Sequence, residues 1–372
     1  MNHLSGGRPR FRAMVVMKSK MGELDAAARM SSADAAVVQP LVEVLPTVTL
    51  TGRLLPKLVA AAAALAPRGR PMMVDCSLLP PTNPLAQWPR GPLDLLAHQI
   101  RQRVTREHGE AAADVVPFVP VLRADDPVAA LRAVKLLDED LGCGAALRVT
   151  ISDPARAGAA RRWVDRALDL MRLPADTVDL VLDLGYLAGG RTRYLDLAMT
   201  ALDQIGSHHG LRSTTLVSGS VPPNRAGFDT LRMARAELDV WQAVRGEYSG
   251  RRTGYGDYGV VHPIAPREPN RPVTVYPYLY YTVADGAVFL RRELPRNADR
   301  RVPKGAAARH FLDLAIELAE RSEFAGPGFS WGDEQLDACA RRRIDNVGSA
   351  WRWIAMSTSH HLAQLATAPP AA

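Results

Sequence analysis

The 372-residue sequence is 47% hydrophobic and 23% charged, which is the balance of a folded globular protein and excludes a mostly disordered chain. Its longest uncharged apolar run, residues 58–67, is about half the ~20 residues that a membrane-spanning helix needs. No signal-peptide pattern opens the sequence, so we expect a cytoplasmic protein without a membrane contact. Three distant cysteines, Cys76, Cys143 and Cys339, fit neither a disulfide framework nor a zinc site.

The net charge of +7 is concentrated in two short basic segments, residues 8–20 and 291–304. Either segment could attract phosphate. A solvated arm and a solvated loop are the more ordinary interpretation. We expect residues 1–12 to form a flexible basic arm.

Short apolar runs that favour β-structure alternate with helical patterns along residues 13–262. The predicted helices cover residues 19–35, 127–141, 154–172, 191–206 and 225–245. The predicted strands begin at residues 13, 38, 71, 115, 145, 179, 212 and 255. Eight such units predict a TIM-like (β/α)8 barrel of the α/β class. A doubly wound open sheet would carry a glycine-rich phosphate fingerprint after an early strand, and the sequence has none.

The pattern changes after residue 262. Two β-rich arms flank Asp285-Gly286, which predicts an antiparallel hairpin within residues 263–305. Residues 306–366 are expected to form helices that pack on the barrel, at 306–322, 333–343 and 348–365. Residues 367–372 should fray.

Polar and charged side chains end most of the predicted strands. Because strand ends converge at one mouth of such a barrel, these residues predict a pocket for an anionic or polar ligand. We expect Arg148 and Lys18 to position the anion, while the acidic residues hold those cations or contact sugar hydroxyls. The alternative is an internal salt-bridge layer, or helix-capping and loop residues. The candidate ligand-binding residues are Lys18, Glu43, Asp75, Arg148, Asp183, Ser220, Asp257 and His262.

Other constellations predict chemistry only weakly, and no catalytic residue, cofactor or metal ligand is assigned. Asp75 and Asp183 would suit a metal-dependent phosphoester hydrolase, although salt bridges are commoner in barrels. Ser218-Gly-Ser220 lacks the pattern and the histidine of a nucleophile turn. The pairs His208-His209 and His360-His361 are adjacent, so neither pair can clasp a metal by itself.

The hairpin offers an alternative function as a protein-interaction module, together with the basic segment at 291–304. Four tyrosines in it would stack nucleic-acid bases, whereas alternating tyrosines on a half-buried strand more often pack in a core. These tyrosines are Tyr276, Tyr278, Tyr280 and Tyr281.

The order of several short motifs resembles the beta protein family of T4-like phages and bacterial genomes. The motifs are Lys18-Ser-Lys-Met-Gly-Glu23, Pro40-Leu-Val-Glu43, Leu147-Arg-Val149, Val181-Leu-Asp-Leu-Gly185, Val217-Ser-Gly-Ser-Val-Pro222, Tyr255-Gly-Asp-Tyr-Gly259, Glu323-Phe-Ala-Gly-Pro-Gly-Phe-Ser-Trp-Gly-Asp333, Gly348-Ser-Ala-Trp351 and His360-His361. The resemblance implies a barrel-like fold and a phage-related or antiphage-defence context. It carries over no catalytic residues, but it gives weight to Asp257, Ser220 and His361. The sequence departs from the family at Phe11-Arg12, where an aromatic-Val-Pro opening is usual.

Overall fold

A closed barrel of eight parallel strands lies at the centre of the structure, a computed structural model. The structure describes residues 10–112, 114–154, 157–189, 191–205, 210–223, 227–247, 253–264, 276–299, 301–344, 347 and 349–367. The strands are β1 (Ala13–Lys18), β2 (Val38–Glu43), β3 (Met72–Asp75), β4 (Phe118–Arg123), β5 (Ala145–Thr150), β6 (Val178–Tyr186), β7 (Ser213–Gly219), β8 (Leu231–Met233), β9 (Gly254–Asp257), β10 (Tyr278–Val283) and β11 (Gly286–Arg291). The barrel contains β1 to β7 and then β9, which closes against β1. The predicted (β/α)8 barrel is therefore confirmed.

Helices cover the barrel and the three strands that stand beside it. They are α1 (Met21–Ala28), α2 (Ser32–Val37), α3 (Leu54–Leu65), α4 (Pro92–His108), α5 (Val128–Leu141), α6 (Ala157–Met171), α7 (Arg191–Gln204), α8 (Ala236–Glu247), α9 (Ala306–Ala319), α10 (Trp331–Ala340) and α11 (Ala350–Thr367). The last helix, α11, packs along α1 and also contacts β1 and β2. Gly22 permits this packing, because a Cβ there would lie 2.2 Å from the Trp351 carbonyl oxygen. No helix within the described ranges is long and apolar enough to cross a membrane.

Side chains alternate between the two faces of the barrel wall, as the period of two in a strand requires. Met14 and Val16 of β1 pack with apolar side chains of the other strands inside the barrel. Val15 and Met17 belong to the larger core between the strands and the outer helices. The next inward position after Val16 is Lys18, so the apolar filling gives way to charge at the carboxyl ends of the strands.

A second sheet of three strands stands beside the barrel. The hairpin predicted around Asp285-Gly286 is present as β10 and β11. Strand β8 pairs antiparallel with β11, although it comes from the connection between β7 and α8. The prediction of a helix over residues 225–245 is therefore wrong at its start. Helix α8 begins at Ala236, because Leu231–Met233 gain backbone hydrogen bonds from a strand more than fifty residues away.

Both faces of the second sheet are covered. On one face, Tyr281 and its neighbours form a separate core with α9, α10 and α11. On the other, Tyr280 and Phe289 pack against Val221 and Val260, which follow β7 and β9. The sheet therefore joins the end of the barrel to the C-terminal helices.

Candidate functional site

Arg148 lies at the centre of a charged network at the carboxyl ends of the barrel strands. Its Nε and Nη2 donate to Asp183 Oδ2 at 3.0 and 2.7 Å. Its Nη1 donates to Glu43 Oε1 at 2.9 Å and to Asp75 Oδ2 at 3.0 Å. Nη2 also donates to the Tyr258 hydroxyl at 2.7 Å. Arginine has five N–H donors. All five are used here, so Arg148, only 1% exposed, has none left for a ligand.

The strand register explains why these charges meet. Lys18, Glu43 and Asp75 lie directly opposite one another across β1, β2 and β3, and each ends its strand. Arg123 and Arg148 are paired in the same way across β4 and β5. A row of mixed charge on β1 to β3 is therefore in contact with a basic row on β4 and β5. With Asp183 and Tyr258 they form what we call the mouth network: Lys18, Glu43, Asp75, Arg123, Arg148, Asp183 and Tyr258.

Arg123 is the arginine of the mouth network with an unused donor nitrogen. Its Nε donates to Asp75 Oδ2 at 2.8 Å and its Nη2 donates to Glu43 Oε1 at 2.9 Å. Its Nη1 has no hydrogen-bond partner in the described part of the chain. The side chain is 17% exposed, whereas the neighbouring acids and Arg148 are almost completely buried. Arg123 therefore presents an oriented guanidinium edge at the mouth.

Lys18 and Glu43 also have hydrogen-bonding capacity that is not used. Lys18 Nζ donates to the Pro263 carbonyl oxygen at 2.7 Å and lies 3.6 Å from Glu43 Oε2. Glu43 Oε2 is buried and has no hydrogen-bond partner among the described residues. Such an orphaned carboxylate oxygen is costly unless a further polar group fills the gap.

The charges of the mouth network balance, three basic residues against three acidic ones. Burial alone would raise the pKa of Asp75, but Arg123 and Arg148 outweigh it and hold that pKa below its usual value. The same holds for Asp183, where Arg148 and the Tyr258 hydroxyl oppose burial. These carboxylates stay ionised at neutral pH, so the guanidinium groups are held in place by full charges.

Asp257 lies outside the mouth network. Gly256 faces the interior side chain of Val217, so the alternation of β9 turns Asp257 toward the outer side of the barrel wall. There Asp257 Oδ2 accepts from Arg235 Nη2 at 2.8 Å and from the Tyr255 hydroxyl at 2.7 Å. Its Oδ1 accepts a hydrogen bond from His361 Nε2 at 3.0 Å.

Ser220 joins the same outer group through α8. Its hydroxyl donates to Glu237, whose other carboxylate oxygen accepts from Arg235 Nε at 3.1 Å. His361 Nδ1 in turn lies 2.7 Å from the Thr282 hydroxyl of β10. We call this group the outer network: Ser220, Arg235, Glu237, Tyr255, Asp257, Thr282 and His361. It connects the barrel, α8, the second sheet and α11.

The remaining histidines have local partners. His262 Nδ1 lies 2.7 Å from the Val221 carbonyl oxygen, and its ring meets Tyr186 edge-on. His360 stacks on Tyr281 at 3.6 Å between ring centroids and hydrogen bonds to Asp333 at 2.9 Å. These contacts hold loops and helices together. The pair His208-His209 lies outside the described residues.

The structure thus divides the eight candidate residues. Lys18, Glu43, Asp75, Arg148 and Asp183 meet in the mouth network. Ser220 and Asp257 belong to the outer network, and His262 lies apart from both. Sequence reasoning did not select Arg123 as a site residue, although Arg123 ends a strand and contacts Asp75 and Glu43. It also missed Arg235 and Glu237, which no pattern within the predicted helix singled out.

Two alternative sites lose their geometric basis. The Arg148 guanidinium, a cation, lies between Asp75 and Asp183, where a shared metal ion would have to sit. The described residues contain no cluster of three potential metal-ligating side chains elsewhere. Tyr280 and Tyr281 are buried, so the packing interpretation of these two tyrosines is the right one.

The motif order and the barrel can be compared with known proteins. No curated protein matches the chain. The sequence profile described as Beta protein matches residues 14–367, which include the barrel, the second sheet and the C-terminal helices. The chain therefore belongs to the beta protein family.

Proposed function

We propose that this protein binds an anionic ligand, a nucleotide or a phosphorylated nucleic-acid end, at the mouth of the barrel. The observation that carries the proposal is the free Nη1 edge of Arg123, held at the mouth by Asp75 and Glu43. The two N–H groups of a free guanidinium nitrogen donate charge-assisted hydrogen bonds to phosphate oxygens. Because the side chain is already oriented, binding would cost little side-chain entropy.

Arg148 has a different part in this proposal from the one that the sequence suggested. Its five donors are all engaged, so it acts as a positioning residue that holds the three carboxylates behind Arg123. Lys18 remains a candidate contact, since one hydrogen bond is described for its Nζ. A nucleotide or nucleic-acid ligand also fits the phage-related or antiphage-defence context and the cytoplasmic location expected from the sequence, and both stay part of the proposal.

Binding of a protein partner at the hairpin and the basic segment is the second candidate function, with less support. The strands of the hairpin are covered on both faces, so a partner would meet the exposed basic residues that follow it, such as Arg301 and Lys304. Nothing in their contacts indicates what that partner would be.

The test is Arg123→Gln, compared with Arg132→Gln. Arg132 is exposed on α5, so its replacement removes the same charge outside the mouth. Nucleotides and 5′-phosphorylated oligonucleotides should raise the melting temperature of the wild type, and Arg123→Gln should weaken their binding about tenfold or more. Titration calorimetry measures the affinities. Equal affinities for the two variants, or no response of the wild type to any phosphorylated ligand, would contradict the proposal.

A further inference from the structure

Lys18 is an unusual residue for a buried ion pair in this protein. The chain has five lysines among its 46 lysine and arginine residues. Four of them, Lys20, Lys57, Lys135 and Lys304, are partly or largely exposed, and Lys18 is 1% exposed. Arginine suits buried pairing better than lysine, because its planar group is more weakly hydrated and binds carboxylates bidentately. The neighbouring mouth positions indeed carry Arg123 and Arg148. A buried lysine beside them calls for a reason other than charge pairing.

The surroundings of Lys18 leave its amine under-bonded. Nζ makes one hydrogen bond in the described residues, to the Pro263 carbonyl oxygen. Glu43 Oε2 is 3.6 Å away, beyond hydrogen-bond distance, and has no hydrogen-bond partner there either. On another side lies the ring of Tyr258, 5.3 Å from Nζ to the centroid. The amine and the carboxylate oxygen therefore face each other with bonding capacity unused on both.

We propose that Lys18 is a carbonyl-reactive amine that forms a Schiff base with a phosphorylated aldehyde or ketone bound at the mouth. The neutral amine attacks the carbonyl carbon, and the new C–N bond forms as the carbonyl oxygen takes up a proton. The carbinolamine then loses that oxygen as water, the nitrogen loses its protons, and the imine results. No oxidant or reductant is needed, since amine plus carbonyl gives imine plus water.

Glu43 is placed to carry the protons of this reaction. Its unpartnered Oε2 faces Nζ, while its Oε1 is held by Arg123 and Arg148. Oε2 can take a proton from nitrogen and return one to the departing oxygen. Burial also lowers the pKa of Lys18, and Glu43 and Glu23 offset only part of that effect, which increases the neutral, nucleophilic fraction of the amine.

This inference rests on the proposed anion binding, since the ligand keeps a phosphate for Arg123, but it replaces the nucleotide by a phosphorylated compound with a free carbonyl group. Lys18 and Arg123 flank the same carboxylate, that of Glu43. In this proposal the ligand has its phosphate on Arg123 and its carbonyl carbon at Lys18 Nζ, which then gives up its hydrogen bond to the Pro263 carbonyl oxygen. An open-chain sugar phosphate has both groups.

The test is reductive trapping in the full-length protein with glycolaldehyde phosphate and with glycolaldehyde, which share the carbonyl but differ in the phosphate. Sodium cyanoborohydride converts each imine into a stable amine, and peptide mass spectrometry counts the adducts on all five lysines. Lys18 should carry about tenfold more phosphorylated adduct than any exposed lysine. If instead the amount of adduct on each lysine increases with the exposure of that lysine, so that Lys18 is the least modified, the proposal is wrong. No variant is needed for this result.

Variants separate this proposal from the one on which it rests. Lys18→Arg should lose the preferred adduct and keep the fold by circular dichroism, whereas Lys20→Arg should keep both. Arg123→Gln should reduce trapping of the phosphorylated aldehyde alone. If both aldehydes label Lys18 equally in the wild type and in Arg123→Gln, the proposal of anion binding at Arg123 is wrong and the proposal of a reactive Lys18 amine is supported. If phosphorylated ligands bind through Arg123 but Lys18 is never preferred, the reactive amine fails alone.

Discussion

The mouth network and the outer network are built from the same kinds of residue, yet they differ in exposure and in unused hydrogen-bonding capacity. Within the outer network, Asp257 accepts from Arg235 just before α8, from Tyr255 of its own strand β9 and from His361 of α11. The mouth network leaves Lys18 Nζ with one hydrogen bond and the buried Glu43 Oε2 with none in the described residues. Nη1 has no described partner on either Arg123 or Arg235, but the Arg123 side chain is 17% exposed and that of Arg235 is 4% exposed. Buried charge alone therefore does not mark a site. Unused hydrogen-bonding capacity together with exposure distinguishes the mouth network from the outer network.

The largest effect on stability is expected at Arg148. Arg148→Ala leaves the carboxylates of Glu43, Asp75 and Asp183 with much of their compensation gone. Breaking a buried ion pair in this way costs about 3–5 kcal/mol. Chemical denaturation measures the free energy of unfolding. A loss below about 1 kcal/mol, with binding abolished, would instead return Arg148 to the role of ligand contact that the sequence suggested.

A smaller effect should follow from cutting the outer network. His361→Ala removes the hydrogen bonds to Asp257 and Thr282. Asp257 Oδ1 then keeps only the Gly259 N–H, and the buried Thr282 hydroxyl loses its described partner, at a cost of about 2–3 kcal/mol. Ligand affinity at the mouth should stay within twofold of the wild type, since none of these groups belongs to the mouth network. A large loss of affinity with unchanged stability would show that the division between the two networks is wrong.

The smallest effect is a gradual response to acid that both networks share. Burial alone would raise the pKa of Asp257, but His361 and Arg235 outweigh it and hold that pKa below its usual value, as basic partners do for Asp75 and Asp183. A carboxyl whose pKa is lowered by folding stabilises the native state above its unfolded pKa of about 4, and that stability is lost as pH falls.

The free energy of unfolding contributed by these groups should therefore be steady near neutral pH and decline below about pH 4. Denaturation at a series of pH values measures the slope. In Arg148→Ala the slope should be shallower, because Asp75 and Asp183 lose a basic partner, whereas Asp257 keeps its own. An unchanged slope would mean that Arg148 does not lower those pKa values.

Much of the barrel could be predicted because each strand is a short apolar run with its own boundaries. The run at residues 13–18 became β1, and Lys18, which was expected to end this strand, is its last residue. Strand β8 could not be predicted, since three residues with the pattern of a helix become a strand only by pairing with distant β11. Local sequence carries no signal for such a partner.

The site was predictable in part of its membership but not in its bonding. Arg123 and Arg148 are the same residue type on neighbouring strands, and sequence reasoning chose Arg148 as the ligand contact. The partners that use up Arg148 come from β2, β3, β6 and the residue after β9, which only the closed barrel brings together. The same limit applies to Asp257. The alternation of β9, in which Gly256 faces inward, places Asp257 on the outer side of the wall, and distant His361 is one of its partners.

The packing of α11 against α1 has a consequence for how the protein is made. Gly22, near the start of the barrel, meets Trp351. While residues 350–367 are still inside the ribosome, a nascent chain can pair its parallel strands but leaves one flank of β1 and α1 without its cover. Native contacts of such long sequence separation form slowly and expose apolar surface until they do. Residues 350–367 must therefore leave the ribosome before this flank of the barrel is covered, and chaperones have their longest opportunity to act there.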